Sequence, residues 1–223
     1  GGFNDHRGGG RFSGRITVAF VMAGAIAKKL LNRFGVEVLA YTTEIGGVKL
    51  DGKPSLEEIR ENTYRNPVRC PDMKCAEDMK KVILEAKSMG DSVGGVVECI
   101  ALNVPVGVGE PIFDSLDADI AKALFDIPAV KGVEFGAGFE AARLKGSENN
   151  DEYVIRDGKI VTLTNRAGGI LGGLSSGMPI VVRVAFKPPS SIPKEQRTVN
   201  LPRMEETTLK AVSYTHLTLP TKA

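Results

Sequence analysis

Histidine and cysteine are scarce in this sequence, net charge is close to zero and long apolar runs are missing. Each shortage closes off a class of function. Only His6 and His216 occur in 223 residues, so a Ser-His-Asp relay or a zinc hydrolase centre has almost nothing to be built from. His6 stands between Asp5 and Arg7 and reads as a surface or loop residue. The cysteines are Cys70, Cys75 and Cys99, an odd number with no histidine near the first two. They read as structural thiols in a reduced, cytoplasmic setting, with no metal site. Basic residues number 29 and acidic residues 27, a net charge of +2 that gives no long-range field for nucleic acid or an anionic membrane. The most apolar run, around Ile16 to Leu31, contains Lys28 and Lys29. It falls short of the roughly 20 residues that a membrane span needs. What remains, 42% hydrophobic and 25% charged, suits a globular chain of one large domain or two small ones.

Periodicity organises the rest. Ile16, Ala19, Phe20, Ala23, Ala27, Leu30, Leu31 and Phe34 recur at steps of three and four, which predicts a helix opening near Ser13 and stopped by Gly35. Its alanines form a small-residue stripe that would let another element approach closely. A strand is predicted from Val36 to Gly46, turned by Gly46-Gly47. A polar excursion over 51–72 holds a short helix after Ser55. Asp72 then opens an amphipathic helix with Ala76, Met79, Ile83 and Ala86 on one face and Gly90 at its end. Gly94 to Gly109 reads as a strand-rich block, and Ser115 opens a helix with Asp117 and Asp119 in its first turn, where the dipole favours acids. Val130 to Gly136 is a strand. Val154 to Leu163 is a hairpin around Asp157-Gly158. Gly168 to Gly177 is rich in glycine and serine, and Pro179 to Phe186 is a strongly apolar strand. Interleaved helices and strands with hairpin signals predict a mixed fold with antiparallel sheets.

Three stretches could bind an anion. Arg7-Gly8-Gly9-Gly10-Arg11-Phe12-Ser13-Gly14-Arg15 runs straight into a helix. Its glycines expose backbone N–H groups beside a positive helix end, and the arginines and the serine hydroxyl complete a phosphate cradle. The same stretch also reads as a flexible loop with solvated arginines. An RNA-binding arginine–glycine segment would repeat, and this one does not. Asn165 to Gly177 fits neither a dinucleotide fingerprint nor a P-loop, but its close glycines let backbones, or a flat ring, pack against the chain. Lys187-Pro188-Pro189-Ser190-Ser191 closes an apolar strand with a cation and two hydroxyls. It suits an anionic ligand and equally an ordinary strand exit.

Taken in order, these segments resemble the chorismate synthase family over nearly the whole chain. The landmarks are Gly8 to Arg15, Ala23 to Lys29, Asp91-Ser92-Val93-Gly94-Gly95 and Gly107 to Pro111. They continue with Pro128 to Glu134, Gly146 to Asp151 and Ala167 to Ser191. The resemblance implies an α+β fold, a layered sandwich of antiparallel sheets around a helical core, assembled as a cytoplasmic homotetramer. It implies a phosphate lyase that converts 5-enolpyruvylshikimate-3-phosphate to chorismate and phosphate, a 1,4-elimination that needs reduced FMN without net redox change. NADPH or a flavin reductase would be the source of reductant. Carried over position by position, Arg11, Phe12, Ser13, Pro128, Ala129, Gly172, Lys187, Pro188, Pro189, Ser190 and Ser191 would lie against FMN. Arg15 would face the anionic substrate, where a forked guanidinium suits phosphate and carboxylate.

The sequence departs from the family pattern in places. Phe12 stands where many members have a small residue, Ile16 where many have glutamate, and Pro189 where threonine is common. The family's catalytic histidine and aspartate belong to portions not matched here, so no catalytic residue is expected within the chain, which by itself would be inactive. The expected family domain is 1–210, truncated at both ends. Residues 211–223 (Ala-Val-Ser-Tyr-Thr-His-Leu-Thr-Leu-Pro-Thr-Lys-Ala) resemble translated sequencing adapter. The rival reading is a non-catalytic remnant that binds flavin or phosphate.

Overall fold

The computed structural model describes residues 13–211. In chain order the elements are α1 (Thr17–Arg33), β1 (Glu37–Ile45), β2 (Val48–Lys49), α2 (Leu56–Asn62), α3 (Met73–Ser88), β3 (Gly95–Leu102), α4 (Leu116–Phe125) and β4 (Val130–Phe135). They continue with α5 (Gly146–Asn149), β5 (Tyr153–Arg156), β6 (Lys159–Thr162), β7 (Ile170–Leu171), β8 (Leu174–Ser175), β9 (Ile180–Phe186), β10 (Glu195–Asn200) and β11 (Glu205–Lys210). Helices combine with antiparallel pairs β1–β2, β5–β6, β7–β8 and β10–β11, so the class is α+β. The largest sheet has strand order β2-β1-β3-β9-β4.

The chain forms two compact units, one holding the described residues up to Ala40 together with Val97–Ala185. The other holds Tyr41–Val96 and the described residues from Phe186 onward. In the first, β9 supplies the core through Ile180, Val181, Val182 and Val184, joined by Ile100, Leu102 and Val130, all buried. Among the described residues α1 buries none of its side chains, and Val18, Val21, Met22 and Ile26 stand exposed. The predicted alanine stripe on α1 is therefore uncovered by any described residue. Gly35 ends this helix in a Schellman turn, with Val36 N–H donating to Leu31 O and Gly35 N–H to Asn32 O.

In the second unit, Met79 and Ala76 of α3 pack with Val68 and Cys70 into a small core, against which Ile45, Val48 and Ile83 also pack. Asp72 caps α3 by accepting from the Cys75 N–H at 2.6 Å. The short α2 opens with a capping box, Ser55 and Glu58 exchanging hydrogen bonds. Gly46 and Gly47 both take positive φ (57° and 87°), the two-residue turn that joins β1 to β2.

One expectation needs correction. The strand-rich block from Gly94 to Gly109 contains a strand only to Leu102. Asn103 takes a left-handed φ of 59°, and Pro105 has no N–H to continue a ladder. The glycine- and serine-rich stretch from Gly168 to Gly177 folds into the β7–β8 hairpin, with Gly172 and Gly173 at φ 61° and 81° as its two-residue turn. The β10–β11 hairpin was not foreseen, because its strands are polar and show no apolar alternation.

Candidate functional site

Ser13 is the N-cap of a 3-10 turn, Gly14–Ile16, that leads directly into α1. Its Oγ accepts the Arg15 N–H at 3.3 Å, and the hydroxyl proton has no acceptor among the described residues. Arg15 lies within the turn, its side chain exposed and without a hydrogen-bond or ion-pair partner among the described residues. Arg11 and Phe12, expected against the flavin, lie outside the described residues, as do His6, Arg7 and 212–223 of the expected foreign tail.

Pro128 and Ala129 join the end of α4 to β4. The Val130 N–H donates to Ile127 O at 3.2 Å, and Ala129 has a φ of +76°. Proline second and positive φ third define a type II turn, a place where glycine is usual. An alanine there is strained by on the order of 1 kcal/mol.

Gly172 sits at the tip of the β7–β8 hairpin, and a Cβ added to it would meet nothing within 4 Å. Its neighbour Gly173 is close-packed, since an added Cβ would stand 2.7 Å from Ser115 Cβ. Gly173 O also accepts the Leu116 N–H at 2.9 Å, so the hairpin tip is fastened to the start of α4. α4 has ten residues and is therefore about 15 Å long. Gly172 and Ala129 thus belong to opposite ends of one helix. No hydrogen bond or ion pair joins either of them to Ser13 or Arg15 among the described residues.

Ser175 fixes the loop beside that hairpin. Its buried hydroxyl donates to Pro105 O at 2.5 Å and accepts the Val108 N–H at 2.8 Å. Asn165 ties the entry of the same glycine-rich stretch, accepting the Gly169 N–H and donating to Pro179 O, both at 2.8 Å. Asp151 gathers the Thr164 hydroxyl and the Arg166 and Ala167 amides. Burial alone would raise its pKa, but these donors outweigh burial and hold the carboxyl below the usual carboxylate range. None of these side chains stood out in the sequence as functional. Asp151, Asn165 and Ser175 do lie inside the quoted segments.

In the second unit, Lys187, Pro188, Pro189 and Ser190 are exposed and Ser191 is half-buried. The carbonyls of this segment are tied back: Pro189 O accepts from Ser92 Oγ at 2.6 Å, and Ser190 O from Gln196 Nε2 at 3.1 Å. Lys187 and the two serine hydroxyls have no partner among the described residues, so their donors remain available.

The cysteines are free thiols. Burial pushes Cys70 up to about 12 and raises Cys75 and Cys99 as well, so none is a ready thiolate. An open groove of about 310 Å³ is lined by Lys28, Asn32 and Gly35 to Leu39, and by none of the residues expected to bind flavin or substrate. Among the described residues no helix is long and apolar enough to cross a membrane.

Comparison with known proteins gives the family. Residues 2–218 match the family model described as chorismate synthase. The chain is 57% identical to chorismate synthase of Dehalococcoides mccartyi over 210 residues, 94% of this chain and 57% of the relative. It is 54% identical to that of Korarchaeum cryptofilum over 209 residues, 94% of this chain and 58% of the relative. A crystal structure of chorismate synthase superposes with a TM-score of 0.74 at 41% identity, covering 79% of this chain and 57% of that one. The chain thus spans about 57% of the length of the curated relatives it matches.

Proposed function

The chain belongs to the chorismate synthase family, and on that premise we propose that it carries the flavin- and phosphosubstrate-binding portion of a lyase that forms chorismate from 5-enolpyruvylshikimate-3-phosphate. The observation that carries this reading is the exit from β9. There Lys187, Ser190 and Ser191 have donors with no partner among the described residues, while the Pro189 and Ser190 carbonyls are tied back.

The residue types present in each unit suit a flavin mononucleotide. Lys187 and the hydroxyls of Ser13, Ser190 and Ser191 are donors for an anion, and Arg11 and Phe12 join them in the reading. Pro188 and Pro189 stiffen the segment, and Pro128, Ala129 and Gly172 offer backbone without bulky side chains. Open space over Gly172 suits a flat ring. Reduced FMN, when bound, supplies the electron density with which the substrate phosphate leaves, without net redox change.

The chain's own residues do the binding and the placing. Arg15 supplies a forked, permanently charged donor for the phosphate or carboxylates of the substrate. The turn at Ser13 presents a hydroxyl at the start of a helical segment, where anions are favoured. Residues 1–210 form the family portion in this proposal and 211–223 the foreign tail, of which the family match takes in 211–218. NADPH or a flavin reductase keeps the flavin reduced, and the complete enzyme is a cytoplasmic homotetramer. Family membership supports these last assignments.

Titration of FMN with the chain, followed by quenching of flavin fluorescence, tests the reading. Saturable quenching that Lys187→Ala weakens is expected, and no saturable quenching overturns the flavin assignment.

A further inference from the structure

The segment Asp91-Ser92-Val93-Gly94-Gly95 is a landmark of the sequence to which the proposed function assigns no role. α3 ends in a Schellman turn at Gly90, whose φ is 66°, with the Asp91 N–H donating to Ala86 O at 2.8 Å. That turn delivers Asp91 and Ser92 to the Lys187–Ser191 segment. Ser92 Oγ donates to Pro189 O at 2.6 Å across 97 positions of sequence. Asp91 accepts the Ser92 N–H at 2.9 Å through one oxygen and pairs with Lys194 Nζ at 2.6 Å through the other. A Cβ added to Gly94 would stand 2.4 Å from Phe186 O and 3.1 Å from Pro188 Cδ. Three residues, Gly94, Ser92 and Asp91, therefore hold the segment at its start, in its middle and just past its end.

Pro188 and Pro189 have no N–H, so no backbone ladder can hold this stretch through its amides there. Its path must be fixed through carbonyls and contacts. Pro189 O has one hydrogen-bond donor among the described residues, the Ser92 hydroxyl. We propose that Ser92 is a positioning residue: its hydroxyl sets the path of 187–191 and so pre-arranges Lys187, Ser190 and Ser191 for an anionic ligand. The ligand's identity as FMN rests on the reading above. Without the hydroxyl, the two prolines still restrict the chain, but the segment is free to pivot about Phe186, and binding must then order it.

The test compares the 223-residue chain with its Ser92→Ala and Ser92→Thr variants by FMN titration, thermal unfolding and hydrogen exchange of the amides of residues 190–192. Ser92→Ala is expected to weaken FMN binding about tenfold, the scale of one hydrogen bond. Exchange at 190–192 should speed up while β10 and β11 exchange as before. Ser92→Thr, which keeps the hydroxyl, should restore both readouts to within about twofold. An unchanged FMN affinity in Ser92→Ala overturns the proposal, as does equal loss in Ser92→Thr. If the parent chain takes up no FMN, the flavin reading fails by itself. Hydrogen exchange then decides on Ser92: faster exchange in the alanine variant alone supports the positioning role, and unchanged exchange overturns it.

Discussion

Arg183 Nε donates to Glu134 Oε1 at 2.6 Å, linking neighbouring strands β9 and β4. The same guanidinium donates through Nη2 to Gly136 O at 2.8 Å and lies 3.5 Å from the buried Glu98 carboxylate on β3 through Nη1. Glu134 in turn accepts the Phe139 N–H at 3.0 Å. Burial alone would raise the Glu134 pKa, but this amide and the guanidinium outweigh burial and hold it low. Arg183→Met removes the cation and leaves two carboxylates facing one another in a half-buried place. A loss of about 3 kcal/mol is expected, as for other ion pairs broken from one side. Glu134→Gln keeps one acceptor and should cost only about 1–2 kcal/mol. Urea unfolding of the two variants checks the order. A smaller loss for Arg183→Met than for Glu134→Gln would show that the arginine is not the hub.

Asp151 gives a dependence on pH. Its folded pKa is depressed by the Thr164 hydroxyl and the Arg166 and Ala167 amides, against the opposing effect of burial. In the unfolded chain it titrates near 4. The unfolded state therefore binds the proton more readily, and the stabilisation is complete above about pH 4 and lost as pH falls through the lower folded value. Asp151→Asn should lower stability at pH 7 and shrink the drop between pH 5 and pH 3. Thermal unfolding across that range checks it, and parallel curves for parent and variant would exclude Asp151 as a source of acid sensitivity.

Ala129 is a turn residue with the wrong side chain for its backbone. At φ +76° the Cβ crowds the following carbonyl, a cost glycine does not bear. Ala129→Gly should raise stability by roughly 0.5 kcal/mol, after the greater freedom of glycine in the unfolded chain is set against the relief. Ala129→Val should lower it by at least about 1 kcal/mol, since β-branched residues are rarer still at positive φ. Denaturant midpoints of the two variants decide, and the opposite ranking would mean that the turn rearranges.

What was legible in the sequence was local. The apolar residues of α3, Ala76, Met79, Ile83 and Ala86, recur at helical spacing between an Asp cap and a stopping glycine, and the helix fills that frame. Strand β9 announced itself by its run of valines. The β10–β11 hairpin did not, because its pairs, such as Arg197 with Thr208 and Thr198 with Thr207, are polar on both faces. The strand ending at Leu102 looks longer in the sequence because Val104 and Val106 are apolar, although their stretch folds as a loop held by Ser175. Site positions came from ordered motifs, which name residues but not what holds them. The hold of Ser92 on Pro189 spans 97 positions, and no pattern of neighbours encodes it.

The division of labour among the cations is the last expectation. Lys187 and Arg11 are assigned to the flavin, and Arg15 to the phosphosubstrate. Lys187 and Arg15 are exposed and have no ion-pair partner among the described residues, so replacing either leaves no charge stranded and chiefly removes a donor. The measurement uses a graft of this chain into the matching stretch of the 57% identical relative, so that flavin binding and turnover are read in one protein. Arg11→Ala and Lys187→Ala should each weaken FMN binding by roughly 1.5–3 kcal/mol, the range for a charge-assisted hydrogen bond. Arg15→Ala should leave FMN affinity within about twofold and act on the substrate. A raised KM with unchanged kcat would place its contact in the ground state as much as the transition state, and a lowered kcat would place it in the transition state alone. If Arg15→Ala abolishes flavin binding while Arg11→Ala and Lys187→Ala leave it intact, the assignments are reversed. The anion at the start of α1 is then the flavin phosphate and not the substrate.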